Sequence, residues 1–139
     1  VKRRTQIQQA IADVIRPLLS PDVLFGLDRE EGYEADHLPA VNLCRLSDKP
    51  VEAVNHDTAL QMRRQLALSL DLYAEGDARY ALLDDIEQGI TQALLTREPL
   101  GLGGAEAISM GEAVFDQETL IAVVCATRIP ITIDYTITL

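Results

Sequence analysis

The chain has 139 residues, the size of one domain with a real core and too short to divide into two. Apolar residues make up 47% and charged residues 24%, which argues against disorder, and no apolar run approaches the ~20 residues of a membrane helix. The formal net charge is −10, from 12 Lys and Arg against 22 Asp and Glu, so a general affinity for phosphate backbones is not expected.

The first element is a helix from Thr5 to Leu19, in which Ile7, Ile11, Val14, Ile15 and Leu18 recur three or four residues apart and form one apolar stripe. Thr5 and Gln8 have the spacing of a capping box, and Pro17 and Pro21 give the helix reason to kink or stop near Arg16 to Ser20. Nothing in this polar amino terminus resembles the apolar stretch of a secretory signal.

Val23, Leu24 and Phe25 predict a short strand. An exposed loop follows, rich in Asp28, Glu30, Glu31, Glu34 and Asp36 around Gly26 and Gly32. Pro39 to Leu46 predicts another short strand, and Ser47 to Asp57, with Pro50 and Asn55, a polar connection. From Leu60 to Leu72 the even positions are Leu60, Met62, Arg64, Leu66, Leu68, Leu70 and Leu72, whereas polar residues fill most odd ones. Period two predicts a long strand with one wet face.

Gly76 and Asp77 open a second helix, with Asp77 as its N-cap, Leu82, Leu83, Ile86, Ile90, Ala93 and Leu94 as its buried stripe, and Pro99 as its end. Asp84, Asp85 and Glu87 form its solvated side. After a flexible turn at Gly101 to Gly104, a strand through Ile108, Met110 and Val114 leads by way of Asp116, Gln117 and Glu118 into a strand from Leu120 to Thr127. Pro130 bends or edges the last strand, where Ile131, Ile133, Tyr135, Ile137 and Leu139 alternate with Thr132, Asp134, Thr136 and Thr138. The expected fold class is α+β, two helices packed on one face of a mainly antiparallel or mixed β-sheet, in the order α-β-β-β-α-β-β.

Catalytic constellations are not legible in this chain. The glycines at 101 to 104 leave a helix and enter a strand, the reverse of a phosphate-binding loop. His37, His56, Cys44 and Cys125 have no paired zinc-ligand spacing, and both cysteines sit in apolar strand-like runs as small hydrophobes. His37 lies near Asp36, Glu34 and Glu31, but no nucleophile accompanies it. We therefore expect no enzyme, no cofactor and no metal. The basic groups Lys2-Arg3-Arg4 and Arg63-Arg64 are read either as solubilising charges or as partner contacts, since cations at a helix start do not help its dipole.

The whole pattern resembles the phage tail terminator family, of the lambda minor tail protein U type. The parallels are the amino-terminal helix, the strand "LPAVNL" after an acidic loop, the alternating strand "QLALSLDLYA", the helix at Ala78 to Leu95 and the closing "ITIDYTITL". The glycine-rich connection after the second helix is longer than the family's pattern, and aromatic residues are few. The resemblance implies a virion tail protein, assembled in the bacterial cytoplasm. It would form a ring, a hexamer, on the head-proximal end of the tail tube, stop tube growth and present a surface for head joining.

The implied partners are copies of the chain, the tail tube protein and a head completion or neck protein, with no membrane and no specific nucleic acid. DNA would pass through the ring, and acidic walls would resist its adhesion. Ring contacts join two different patches, and we expect them at Arg63, Arg64, Asp28, Glu30 and Glu31, where opposite charges would register neighbours. The alternatives are another neck protein, a head–tail connector or tail completion subunit, and a small-ligand-binding regulatory α+β domain.

Overall fold

The computed structural model describes residues 2–29, 33, 37–55, 60–119 and 123–138, with side chains described except at 52–55, 116–119 and 123–126. In chain order the elements are helix α1 (Lys2–Ile15), strands β1 (Leu24–Leu27), β2 (Ala40–Asn55) and β3 (Leu60–Glu75), helix α2 (Arg79–Leu95), and strands β4 (Ala107–Met110), β5 (Val114–Thr119) and β6 (Val123–Thr138). The expected order holds, with the strand anticipated through Ile108 and Val114 divided into β4 and β5. The sheet is mixed: β1 lies parallel to β2, and every other pairing is antiparallel. Its order is β1-β2-β3-β6-β4, with β5 also on β6.

The alternation in β3 decides which face is covered. Leu66, Leu68, Leu70 and Leu72 are at most 1% exposed. Across the ladder they meet Ile133, Ile131, Ile129 and Thr127 of β6, and Leu72 and Leu70 meet Val41 and Leu43 of β2. Ile7, Ile11 and Ile15 of α1 and Leu83, Ile90 and Leu94 of α2 join the same buried cluster, so both helices cover this one face. Each such side chain contributes roughly 1.5–3 kcal/mol by leaving water.

Several local expectations are corrected. Helix α1 begins at Lys2, so Thr5 does not cap it; the Thr5 hydroxyl instead accepts a hydrogen bond from Arg45 Nη2 at 3.1 Å. The helix stops at Ile15 and passes into a 3₁₀ turn, Arg16–Leu18, because Pro17 has no amide to continue the ladder. The residue preceding α2 is Ala78, without a side-chain cap, so Asp77 does not fill that role. Leu82, expected in the buried stripe, is 39% exposed.

Strand β2 runs through the expected polar connection to Asn55. Its register shifts twice, between Arg45 and Ser47 and between Pro50 and Glu52. Each shift is a bulge carrying one extra residue, and the extra residue breaks the period-two pattern that would have revealed the strand. Asp116, Gln117 and Glu118 are strand residues opposite Ala126, Cys125 and Val124, not a turn.

Strand β6 is continuous through Pro130. The Pro130 carbonyl accepts from Gly111 N at 2.8 Å. A strand residue's N and O point to the same side, so the missing amide of Pro130 faces the gap between β4 and β5, where the ladder is interrupted anyway. The glycine turn after α2 is docked against α1: Arg3 Nη1 donates to Gly103 O at 3.2 Å, and a Cβ on Gly103 would lie 2.8 Å from the backbone of Gln6 and Ile7.

Candidate assembly surfaces

The first bulge turns Asp48 towards the helices. Unbulged, Ser47 would face Leu66; with Leu46 looped out, Asp48 takes that position on the covered face. Its side chain is 3% exposed and meets Arg64 Nε at 3.1 Å and Arg4 Nε at 2.8 Å. Arg64 Nη2 also donates to Asp48 O at 3.0 Å, and the Tyr135 hydroxyl donates to Asp48 Oδ2. Burial, then the bond to Asp48, pushes the Tyr135 hydroxyl pKa up. Arg64 stands in the even series of β3, and this node is the partner it finds there.

The sequence therefore offers Arg64 as a surface contact, whereas the structure places it within the chain, side chain 16% exposed, against Asp48. Arg63 points to the opposite face, 4.0 Å from Glu106 Oε2. Asp28 joins elements: Oδ2 accepts from Gln8 Nε2 at 2.9 Å, and Oδ1 accepts from Arg45 N at 2.8 Å, next to where β1 leaves β2. Its φ of 52° is a left-handed conformation that Asp tolerates. Glu30 and Glu31 lie outside the described residues, as do Glu34 and Asp36. Arg63, Arg64 and Asp28 thus stand at separate places in the fold, each with a contact inside the chain.

Beside the node, Arg4, Arg45, Leu46, Ser47, Asp48 and Leu66 line a cavity of about 190 Å³. Arg45 Nε donates to Gln8 Oε1 at 2.6 Å, fixing this guanidinium over α1. The bulge residues Leu46 and Val51 are 62% and 57% exposed. Among the described residues, strand β1 pairs with the outer edge of β2 from Ala40 to Leu43. At the other end of the sheet, Val114 and Phe115 of β5 are 49% and 52% exposed. Phe115 packs edge-on against Tyr80 of α2, with ring centroids 6.3 Å apart.

The sheet face away from the helices carries a second polar group that sequence reasoning missed. Ser69 Oγ donates to Asp71 Oδ1 at 2.6 Å, Cys44 Sγ donates to Asp71 Oδ2 at 3.7 Å, and Asn42 Nδ2 donates to Cys44 Sγ at 2.8 Å. Asn42 also exchanges two 3.2 Å bonds with the Arg29 backbone, and Tyr33 stacks obliquely on Tyr73 at 4.9 Å. Asn42, Ser69 and Asp71 are nearly buried beneath this cover. Burial first, then Asp71, pushes the Cys44 thiol to about 11, the opposite of what a nucleophilic cysteine needs. Its geometry is that of a hydrogen-bonded network holding the Arg29 backbone on the sheet. The signal available was Ser69 and Asp71 sharing the odd side of β3.

Among the described residues no three His, Cys, Asp or Glu side chains converge as a metal site, and no helix is long and apolar enough to cross a membrane. His56 and the Cys125 side chain fall outside the described set. Compared with protein-family models and with curated proteins, the chain has no significant match.

Proposed function

We propose that the chain is a phage or prophage tail terminator: a ring-forming structural protein that caps the head-proximal end of the tail tube, ends its polymerisation and offers a surface for head joining. One observation supports this above all. A single sheet, covered on one side by both helices, has two different edges, each with exposed apolar side chains: Leu46 and Val51 on β2, Val114 and Phe115 on β5. Exposed apolar groups gathered at an edge favour a partner, and two unlike edges on one domain suit head-to-tail closure into a ring.

In this reading the chain works without turnover. Its partners are further copies of itself, to the number of six by the resemblance, the tail tube protein beneath and a neck protein above. The test is the mass of the purified chain alone and with polymerising tube protein. A ring alone or on tubes, together with shortened and capped tubes, is the expected result. Tubes of unchanged length with no bound chain would remove the terminator reading, and binding on the portal side alone would favour a connector.

A further inference from the structure

The two edges differ in charge as well as position. On the β2 side, the 190 Å³ cavity presents Arg4 and Arg45 beside exposed Leu46. Asp48 is the one carboxylate among the lining residues described, so the lining carries two cations against one anion in a chain of net charge −10. Arg4 is held by Asp48 through Nε, and Arg45 by Gln8 and Thr5 through Nε and Nη2. A guanidinium has five N–H donors in a rigid fork, so donors remain on both to receive a carboxylate.

On the other side, α2 carries no cation between Tyr80 and Thr96 but includes Asp84, Asp85 and Glu87. Tyr80 lies against Phe115 of β5, and Asp84, Glu87 and Thr91 follow it at four, seven and eleven residues, hence along the same side of the helix. With Gln88 and Gln92 they form an open polar face of the helix. Burial, then the neighbouring Asp84, pushes the Glu87 pKa up, so both effects disfavour its charge. A cation from outside would relieve it.

We propose that the Arg4 and Arg45 cavity of one copy receives the Asp84 and Glu87 side of α2 of a second copy, with Leu46 and Phe115 supplying apolar contact beside the charges. The pairing rests on the ring reading above and names its interface. The occupant is a second copy because the two patches are complementary in sign and unlike each other, one formed by α1 and β2 and the other by α2. That is the arrangement a head-to-tail contact requires. The cation set differs from Arg63 and Arg64: Arg63 is turned to the opposite face of the sheet, and Arg64, whose side chain is 16% exposed against 25% for Arg4, lies deeper beside Asp48.

The test uses Arg45→Glu and the double change Asp84→Lys with Glu87→Lys, each on the full chain, with assembly mass read by sedimentation. Each variant alone should dissociate, weakening association on the order of 100-fold or more through like-charge opposition. An equimolar mixture of the two should reassemble, because alternating copies restore opposite charges at every contact. Folding is checked by circular dichroism; if Arg45→Glu fails to fold, the α2 variant, altered on an outer helix side, still decides.

A wild-type assembly that survives the α2 reversal unchanged would overturn the pairing and leave the ring reading standing. So would two dissociated variants that stay apart when mixed. A wild-type chain that is monomeric both alone and with tube protein would overturn both together.

Discussion

Asp48 shows how much one side chain can organise. It enters the covered face only because Leu46 is looped out, and once there it is held by two arginines and a tyrosine hydroxyl. A buried ion pair is a weak source of net stability, since desolvation offsets the attraction, but breaking one strands a charge. We expect Asp48→Asn to lower the unfolding free energy by about 3 kcal/mol, the low end for a buried pair because Arg4 and Arg64 keep some contact with water. Urea unfolding measures it. A loss below about 1 kcal/mol would mean that the node is not a structural anchor. Such a change would also loosen Arg4, and so the cavity beside it.

At the scale of elements, two glycines separate geometry from composition. Gly103 has a φ of +68°, and a Cβ there would meet the backbone of α1 at Gln6 and Ile7, so it is the contact that seats the turn after α2 on α1. Gly103→Ala should destabilise by about 1–3 kcal/mol through strain and lost docking. Gly89, inside α2, has nothing within 4 Å of such an atom. Gly89→Ala should stabilise by about 0.5–1 kcal/mol, because alanine loses less freedom in a helix. Thermal melts of the pair, shifting in opposite directions, check the docking. Equal shifts would restore the reading of residues 101–104 as a flexible turn.

For the whole molecule, the groups with raised proton affinity set an alkaline limit. The Cys44 thiol rises from 9.0 to about 11, and the hydroxyls of Tyr33, Tyr73 and Tyr135 rise above 10.0, each chiefly through burial. The folded chain therefore keeps protons that the unfolded chain gives up at the same pH. Stability contributed in this way is intact below pH 9 and falls as pH rises through about 11. The melting temperature should be flat from pH 7 to 9 and decline beyond it; a rise over that upper range would contradict these environments. The same molecule presents two unlike edges, and the charge-reversal mixture described above is the test that belongs to this scale.

The amino-acid sequence by itself determined what periodicity carries: the amphipathic stripes of α1 and α2, the alternation of β3, and with them the α+β class and helices on one face. These signals are local, because a buried stripe repeats every few residues whichever element lies opposite. Only the tertiary structure decided what depends on register and on distant partners. The bulges of β2 hid a sixteen-residue strand and sent Asp48 inward. Arg64 found that carboxylate from a neighbouring strand, and Asp28 tied β1 to α1 and β2. Which charges remain for a partner is settled only after the chain has used the others on itself, and one inserted residue in a ladder exchanges the two faces of every position after it.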